Sequence, residues 1–563
     1  MAKYNAKREP VVKETTTHQG GQGFTQRPEA ELVGLLSTGI QNTFYEKEGE
    51  REARLKTLVD TIAKNDKEFV AKALIYARTV FGQRTVTHLG AVNLLPHLKG
   101  EEFAKRFFSK RDRKLNKGGV VYRIDDMAEI LACYIAKNKI DTNGKWTMPR
   151  AMKIGFKLAI ENSDAYELAK YQLKGNNVSL IDIVNMVHPA ETERNGTVEV
   201  SRQDYIKATK GSKWSNQPIP EGDTISISTL RALVLGLLKQ FNTVEDKNSE
   251  AGKQVAEMVK TGELSTAEAQ KVLTEKKADN FEELIKTKKI GYLALLRNLR
   301  NIIKTNDESL LTQACELLVN QAFIKKSLVW PHQIDLAIEV MLIEFSGRQL
   351  QKVASALSTA YELSIPNLNN LLPEGRTAIV FDTSGSMESG GKVSMPNGTS
   401  QVRINSSPAQ KAALIAATFA KGIGGDVYHF GTTCKRITGF NPTDSVNTLK
   451  KNFESHNGEC GHGTCYHEIL PELSRSGGKY DRVVIITDEQ GADSFERSYN
   501  EYSKKYGTPY VYFINICGYG PTMAKAGNRV FRLYGYSADI YEKIPQLEVN
   551  INEVIDAIKR IEI

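Results

Sequence analysis

Apolar residues recur through the first two thirds of the chain at three- and four-residue spacing, the signature of helices with one buried face. The segments Arg51 to Lys64, Lys67 to Phe81, Glu101 to Lys110, Asp125 to Lys137, Pro149 to Glu161 and Thr229 to Phe241 all carry it, with short polar breaks between them. Consecutive amphipathic helices joined by short turns bury their faces against neighbours. The pattern therefore predicts stacked helix pairs, a solenoid whose concave surface or hole holds an extended ligand. Residues 243–280 are rich in Lys and Glu and weakly apolar, which reads as an exposed helical insertion.

Near residue 376 the period changes. Short apolar runs at 378–381, 427–430, 483–487, 510–516 and 530–534 alternate with helical stretches such as Pro408 to Lys421, Phe495 to Tyr506 and Asn552 to Ile561. Such alternation predicts a mainly parallel sheet with helices on both faces. Right-handed crossovers would gather the strand tips at one edge. Two of those tips carry chemistry. The stretch RTAIVFDTSGSM (376–387) places Asp382, Ser384 and Ser386 at the end of one buried run; Val483 to Ile486 ends in Thr487 and Asp488, with Gly463 and Thr464 in the loop before it. Carboxylates and hydroxyls are hard oxygen ligands that suit Mg²⁺, Mn²⁺ or Ca²⁺. The plain alternative is a polar strand-to-loop turn without an ion.

Other chemistries fit less well. Cys460, His462, Cys465 and His467 offer four soft ligands, but their intervals are tighter than zinc-finger spacing and they overlap the Thr464 loop. DTSGSM lacks the flanking glycines of a hydrolase nucleophile elbow, and Gly390-Gly391 and Gly424-Gly425 do not form a phosphate loop.

With 563 residues the chain is long enough for two cores. Its positive charge is uneven. Of 75 Lys and Arg and 66 Asp and Glu, 21 and 20 fall in residues 376–563, which leaves 54 against 46, an excess of eight, for residues 1–375. A basic half suits a polyanionic partner such as nucleic acid, and an ordinary solvated surface as well. Six scattered cysteines read as reduced thiols of an intracellular protein. Residues 1–25 lack an apolar signal core and read as a flexible tail, and no apolar run reaches transmembrane length, so no membrane partner is expected.

Asp382, Ser384, Ser386, Thr464 and Asp488 together resemble the metal-ion-dependent adhesion site of von Willebrand factor A domains. One departure is GHGTC at 461–465, where related domains commonly read Gly-Gly-Thr-Asp. In the N-terminal part GKWTMPRAMK (144–153), AKYQLK (169–174) and DIVNMVHP (182–189) resemble three successive signatures of the TROVE module of the Ro autoantigen family. Gly23-Phe24, TFY (43–45), YAR (76–78) with Arg84, LALLRNL (293–299) and PHQI (331–334) are similar stretches.

The resemblance to a bacterial or phage Ro-like protein implies an α plus α/β architecture. A ring-like, all-α, HEAT-like TROVE module at 26–370 would be followed by a doubly wound α/β von Willebrand factor A-like domain at 371–563. It further implies a monomeric cytoplasmic carrier with Mg²⁺ or another divalent cation at the adhesion site. Such a carrier binds small structured noncoding Y-like RNA on its outer surface and takes single-stranded ends of misfolded RNA into the central hole. It hands RNA to an exoribonuclease and is not itself an enzyme.

The RNA-facing residues on this reading are Lys145, Arg150, Lys170, Tyr171, Lys174 and His188, with Arg78, Arg84 and His88 as a second cluster toward the hole. Lys170 and Lys174, four apart on a helix, would present two ammonium groups to successive phosphates. His188, before the helix-ending Pro189, would stack on a base or donate to a phosphate. Arg78 could equally pair with a core carboxylate. A metal-dependent protein-interaction module without RNA, and an enzyme, are the competing classes.

Overall fold

The computed structural model describes the chain apart from residues 1–12, 41–42, 113, 138–146, 171–177, 213, 220, 239–283, 286–289, 328, 330, 365–374, 389–391, 395–400, 404–406, 526–528, 536–539, 541–543 and 545–552. The predicted insertion at 243–280 thus lies outside the described residues. Two compact units result, and they are not consecutive in sequence. One comprises Met1–Ile62, Val80–Gln83 and Ile285–Ala557; the other comprises Ala63–Thr79, Arg84–Leu284 and Ile558–Ile563.

The first unit is built on a six-stranded sheet ordered Cys434–Arg436, Asp426–Phe430, Thr377–Asp382, Arg482–Thr487, Tyr510–Asn515 and Val530–Tyr534. All neighbours are parallel except the first pair. Both faces are covered, as the unbroken apolar runs require. Ala378, Val380, Val483 and Ile485 pack with Leu470, Leu473, Phe495 and Phe513 on one side, and the helix Pro408–Ile423 packs on the other. That helix starts at a capping box between Ser407 and Gln410 and stops at Gly424, whose φ of 64° ends it in the left-handed region.

The chain leaves Thr377–Asp382 for the strand on one side and later returns to the strand on the other. The order thus reverses beside Asp382, at the carboxyl ends of the strands, where open sheets of this kind bind ligands. Five helices between Tyr292 and Ser364 belong to this unit as well. They are fastened to it by the buried Lys450–Asp335 ion pair and by the Val446 amide donating to Glu362, 2.6 Å.

Residues 14–16 and 22–24, expected within a flexible tail, form an antiparallel hairpin. Phe24 and Thr522 exchange backbone hydrogen bonds of 2.8 and 3.1 Å, and a Cβ added at Gly21 would sit 2.4 Å from the Gly491 carbonyl. Chain ends so pinned are ordered whatever their polarity.

The second unit is mainly helical. It contains Lys67–Thr79, Thr85–Leu94, Asp125–Lys137, Arg150–Glu161, Ala165–Lys170 and Leu180–Val187, packed pairwise, and a hairpin Thr197–Ser201 with Thr224–Ser228 that periodicity did not predict. The helix expected over Glu101 to Lys110 shrinks to Ala104–Phe107. There the Phe107 carbonyl accepts the Val120 amide at 2.7 Å and the Ser109 carbonyl accepts Val121, so the next turn is replaced by pairing with a later segment.

Candidate metal centre

Asp382 ends the central strand, and both its oxygens are used. Oδ1 accepts the Ser384 amide at 2.9 Å, and Oδ2 accepts the Thr487 hydroxyl at 2.6 Å. The Thr487 hydroxyl in turn accepts the buried Tyr466 hydroxyl at 2.5 Å, a short relay that fixes each proton. Ser384 and Ser386 lie 3.2 Å apart through their hydroxyl oxygens. The loop carrying Thr464 is drawn in by the Gly385 amide, which donates to the His462 carbonyl at 3.0 Å. Asp382, Ser384, Ser386, Thr464 and Asp488 are all buried.

Asp488 is the informative member. Its Oδ1 accepts the Gln490 amide at 2.9 Å, whereas its buried Oδ2 accepts no hydrogen bond. The adjoining Glu489, held at a φ of 56°, sends its carboxylate the other way, to Arg532 Nε at 2.9 Å and Asn515 Nδ2 at 3.0 Å. A non-glycine residue in the left-handed region costs energy, and here it separates two adjacent carboxylates onto different partners. Burial raises the Asp382 carboxyl above its ordinary pKa, and burial together with the neighbouring Asp382 charge raises Asp488. Two dry carboxylates with hydroxyls and amides but no basic side chain between them form a hard-oxygen donor set short of positive charge. That set fits a divalent cation.

Sequence reasoning missed the residues that cover this site. The Gln19 amide donates to the Thr464 hydroxyl at 3.0 Å and to the Tyr45 hydroxyl at 2.7 Å. The His18 ring stacks on Tyr45 with centroids 5.1 Å apart, and its backbone amide donates to Gln490 Oε1 at 2.9 Å. Burial raises the Tyr45 pKa, and the Asp488 and Asp382 charges act in the same direction. No local signal could have found these contacts, since Gln19 and Thr464 lie 445 positions apart.

The nucleic-acid residues fare unevenly. Lys145, Tyr171 and Lys174 lie outside the described residues, as does the Lys170 side chain, although Lys170 itself closes the helix Ala165–Lys170. Arg150 is exposed at the start of its helix. His188 is exposed in a left-handed cap, φ 48°, where the capping-box helix Leu180–Val187 ends before Pro189. These two are not neighbours. Ala190 bonds Glu161 at the far end of the Arg150 helix, roughly 16 Å along its axis.

Arg78, Arg84 and His88 are ion-paired within the helical unit. Arg78 is buried against Asp126, with Nε to Oδ2 and Nη2 to Oδ1 both 3.1 Å. Arg84 joins Asp125, Asp126 and Glu129. His88, 1% exposed, lies 3.3 Å from Asp126 and 3.0 Å from Glu129. Carboxylates absent from the sequence cluster claim these cations from within the unit. The Cys460, His462, Cys465 and His467 set, already ill-suited to zinc by its spacing, separates as well, because Cys465 and His467 gather with Asp493 while Cys460 lies against His429.

The TROVE domain family model matches residues 29–383, well over half of the chain, and the chain belongs to that family. Its fold is an α plus α/β combination of TROVE-type helices and a six-stranded, mostly parallel sheet covered on both faces. The chain is similar to the crystal structure of the Deinococcus radiodurans RO (RSR) protein, at 16% identity and a TM-score of 0.47, covering 93% of this chain and 100% of that one. No curated protein matches it. Among the described residues, no helix is long and apolar enough to cross a membrane.

Proposed function

We propose that this protein is an RNA-binding scaffold of the Ro type. It takes small structured noncoding RNA on the outer face of its helical module and single-stranded ends of misfolded RNA in a central hole, passes RNA to an exoribonuclease and does not cut it. The observation that carries this reading is the TROVE family match across residues 29–383. The positive excess of residues 1–375 and the exposed Arg150 and His188 support it. Lys145, Lys170, Tyr171 and Lys174 complete the proposed RNA surface, and the ion-paired Arg78, Arg84 and His88 drop out of it. Asp382, Ser384, Ser386, Thr464 and Asp488 would hold Mg²⁺. When bound, the ion supplies an oxygen-seeking position for an acidic side chain or a phosphate.

Purification without nuclease, followed by sequencing of what accompanies the protein, tests the reading. A discrete set of structured RNAs is expected, and an RNA with a 3′ single-stranded tail should bind better than the same stem with a blunt end. Absence of RNA, with a divalent-dependent protein partner instead, would favour an interaction module. RNA cleavage lost in Asp382→Ala would make the protein an enzyme.

A further inference from the structure

Cys460 lies against groups that its neighbours in sequence did not announce. His429 sits near the end of the strand Asp426–Phe430, paired in register with Phe381 and 1% exposed. Its Nε2 is 3.6 Å from Cys460 Sγ and 4.0 Å from Glu459 Oε2. His456 Nδ1 lies 3.0 Å from the other Glu459 oxygen. The ligand atoms of His429, His456 and Glu459 all fall within 4.8 Å of one another. Successive turns after the helix Val446–Glu454, with the His456 amide on the Phe453 carbonyl and the Glu459 amide on the His456 carbonyl, bring them there.

We propose that His429, His456 and Glu459, with Cys460 as fourth ligand, form a second metal centre for a zinc-class ion, distinct from the oxygen site at Asp382. Bond lengths of about 2.0 Å to nitrogen and 2.3 Å to sulfur put tetrahedral nitrogen and sulfur ligands about 3.5 Å apart, close to the 3.6 Å His429–Cys460 separation. Cys460 Sγ approaches His429 but lies outside the 4.8 Å grouping of the other three, so the partly exposed His456 and Glu459 side chains would have to rotate toward it. Binding would release the Cys460 thiol proton to solvent. The Cys465, His467 and Asp493 group is less suited, since the Asp493 carboxylate already accepts the Tyr466 and His467 amides at 3.0 and 2.8 Å. The sequence concealed the site because His429 is 31 positions from Cys460 and on another element.

Full-length protein stripped with chelator and titrated with Co²⁺ in excess Mg²⁺ tests the proposal. One tightly bound Co²⁺ is expected, with intense tetrahedral ligand-field bands, a thiolate charge-transfer band, and displacement by Zn²⁺. Cys460→Ser should remove the charge-transfer band. His456→Asn and Glu459→Gln, both partly exposed and so compatible with folding, should each weaken Co²⁺ roughly tenfold or more. A weak octahedral spectrum, affinity unchanged in both exposed-ligand variants, or Co²⁺ binding lost only in Asp382→Ala would overturn it.

Discussion

Asp126 in the helical unit and Asp382 with Asp488 in the sheet unit are all fully buried carboxylates, and they are compensated in opposite ways. Asp126 accepts Arg78 and Arg84 and the backbone amides of Tyr122 and Arg123 at 3.0 and 2.9 Å, with His88 beside it. Burial opposes its charge, yet His88 and Arg78 hold its pKa well below the usual range. Asp382 and Asp488 have hydroxyls and amides only, and both are raised. The difference separates a finished structural knot from the proposed cation site. Where protein cations match the buried charge, the cluster has no need of an outside partner; where they do not, a cation from solution can complete it.

The largest expected effect is at the knot. Asp126→Asn leaves Arg78 buried and short of a counter-charge, so stability should fall by about 3–5 kcal/mol in urea denaturation. A loss under about 1 kcal/mol would break the contrast. At the proposed cation site the effect should depend on metal. Mg²⁺ at a hundredfold excess over its Kd should stabilise the parent by about 2.7 kcal/mol. Asp488→Asn should lose that gain yet be no less stable than the parent in chelator, because burial and the Asp382 charge already disfavour the charged form of Asp488 there. A variant equally destabilised with and without Mg²⁺ would make Asp488 structural.

Smaller changes sharpen the boundary between knot and RNA surface. Lys170→Ala/Lys174→Ala should lower the slope of log affinity against log salt by up to about two, whereas Arg84→Gln should reduce stability and leave that slope alone. Smallest is a pH effect. Burial works against the charge of His88, but the Asp126 and Glu129 carboxylates outweigh it and raise its pKa above 6.5. Its contribution is therefore complete below pH 6.5 and lost as pH rises through the folded value. Asp126 and Glu129 are lowered, so theirs is lost in acid, below their ordinary values of 3.8 and 4.5. The melting temperature of His88→Gln should thus converge on that of the parent above neutrality; a constant gap would refute the assignment.

Much of this was legible in the chain. The helices Asp125–Lys137 and Phe495–Tyr506 have the bounds that their periodicity predicts, and the strands ending at Asp382 and Thr487 follow their apolar runs. Buried strands advertise themselves because both faces must be apolar, and a carboxylate at such a tip stands out. What stayed hidden depends on distance in sequence. Arg78, Arg84 and His88 carry charges that suit RNA, and only the position of Asp126 on a helix more than 35 residues away shows where those charges go. The Gln19 cover and the His429–Cys460 contact are hidden for the same reason.

Calorimetric titration of the chelator-treated full-length protein with Mg²⁺ tests most directly whether the sheet unit holds an unfinished cation site. The account predicts saturable binding of one ion that disappears in Asp382→Ala and persists in Asp126→Asn at a temperature where that variant is folded. No saturable binding in the parent, or binding that survives Asp382→Ala, would contradict it.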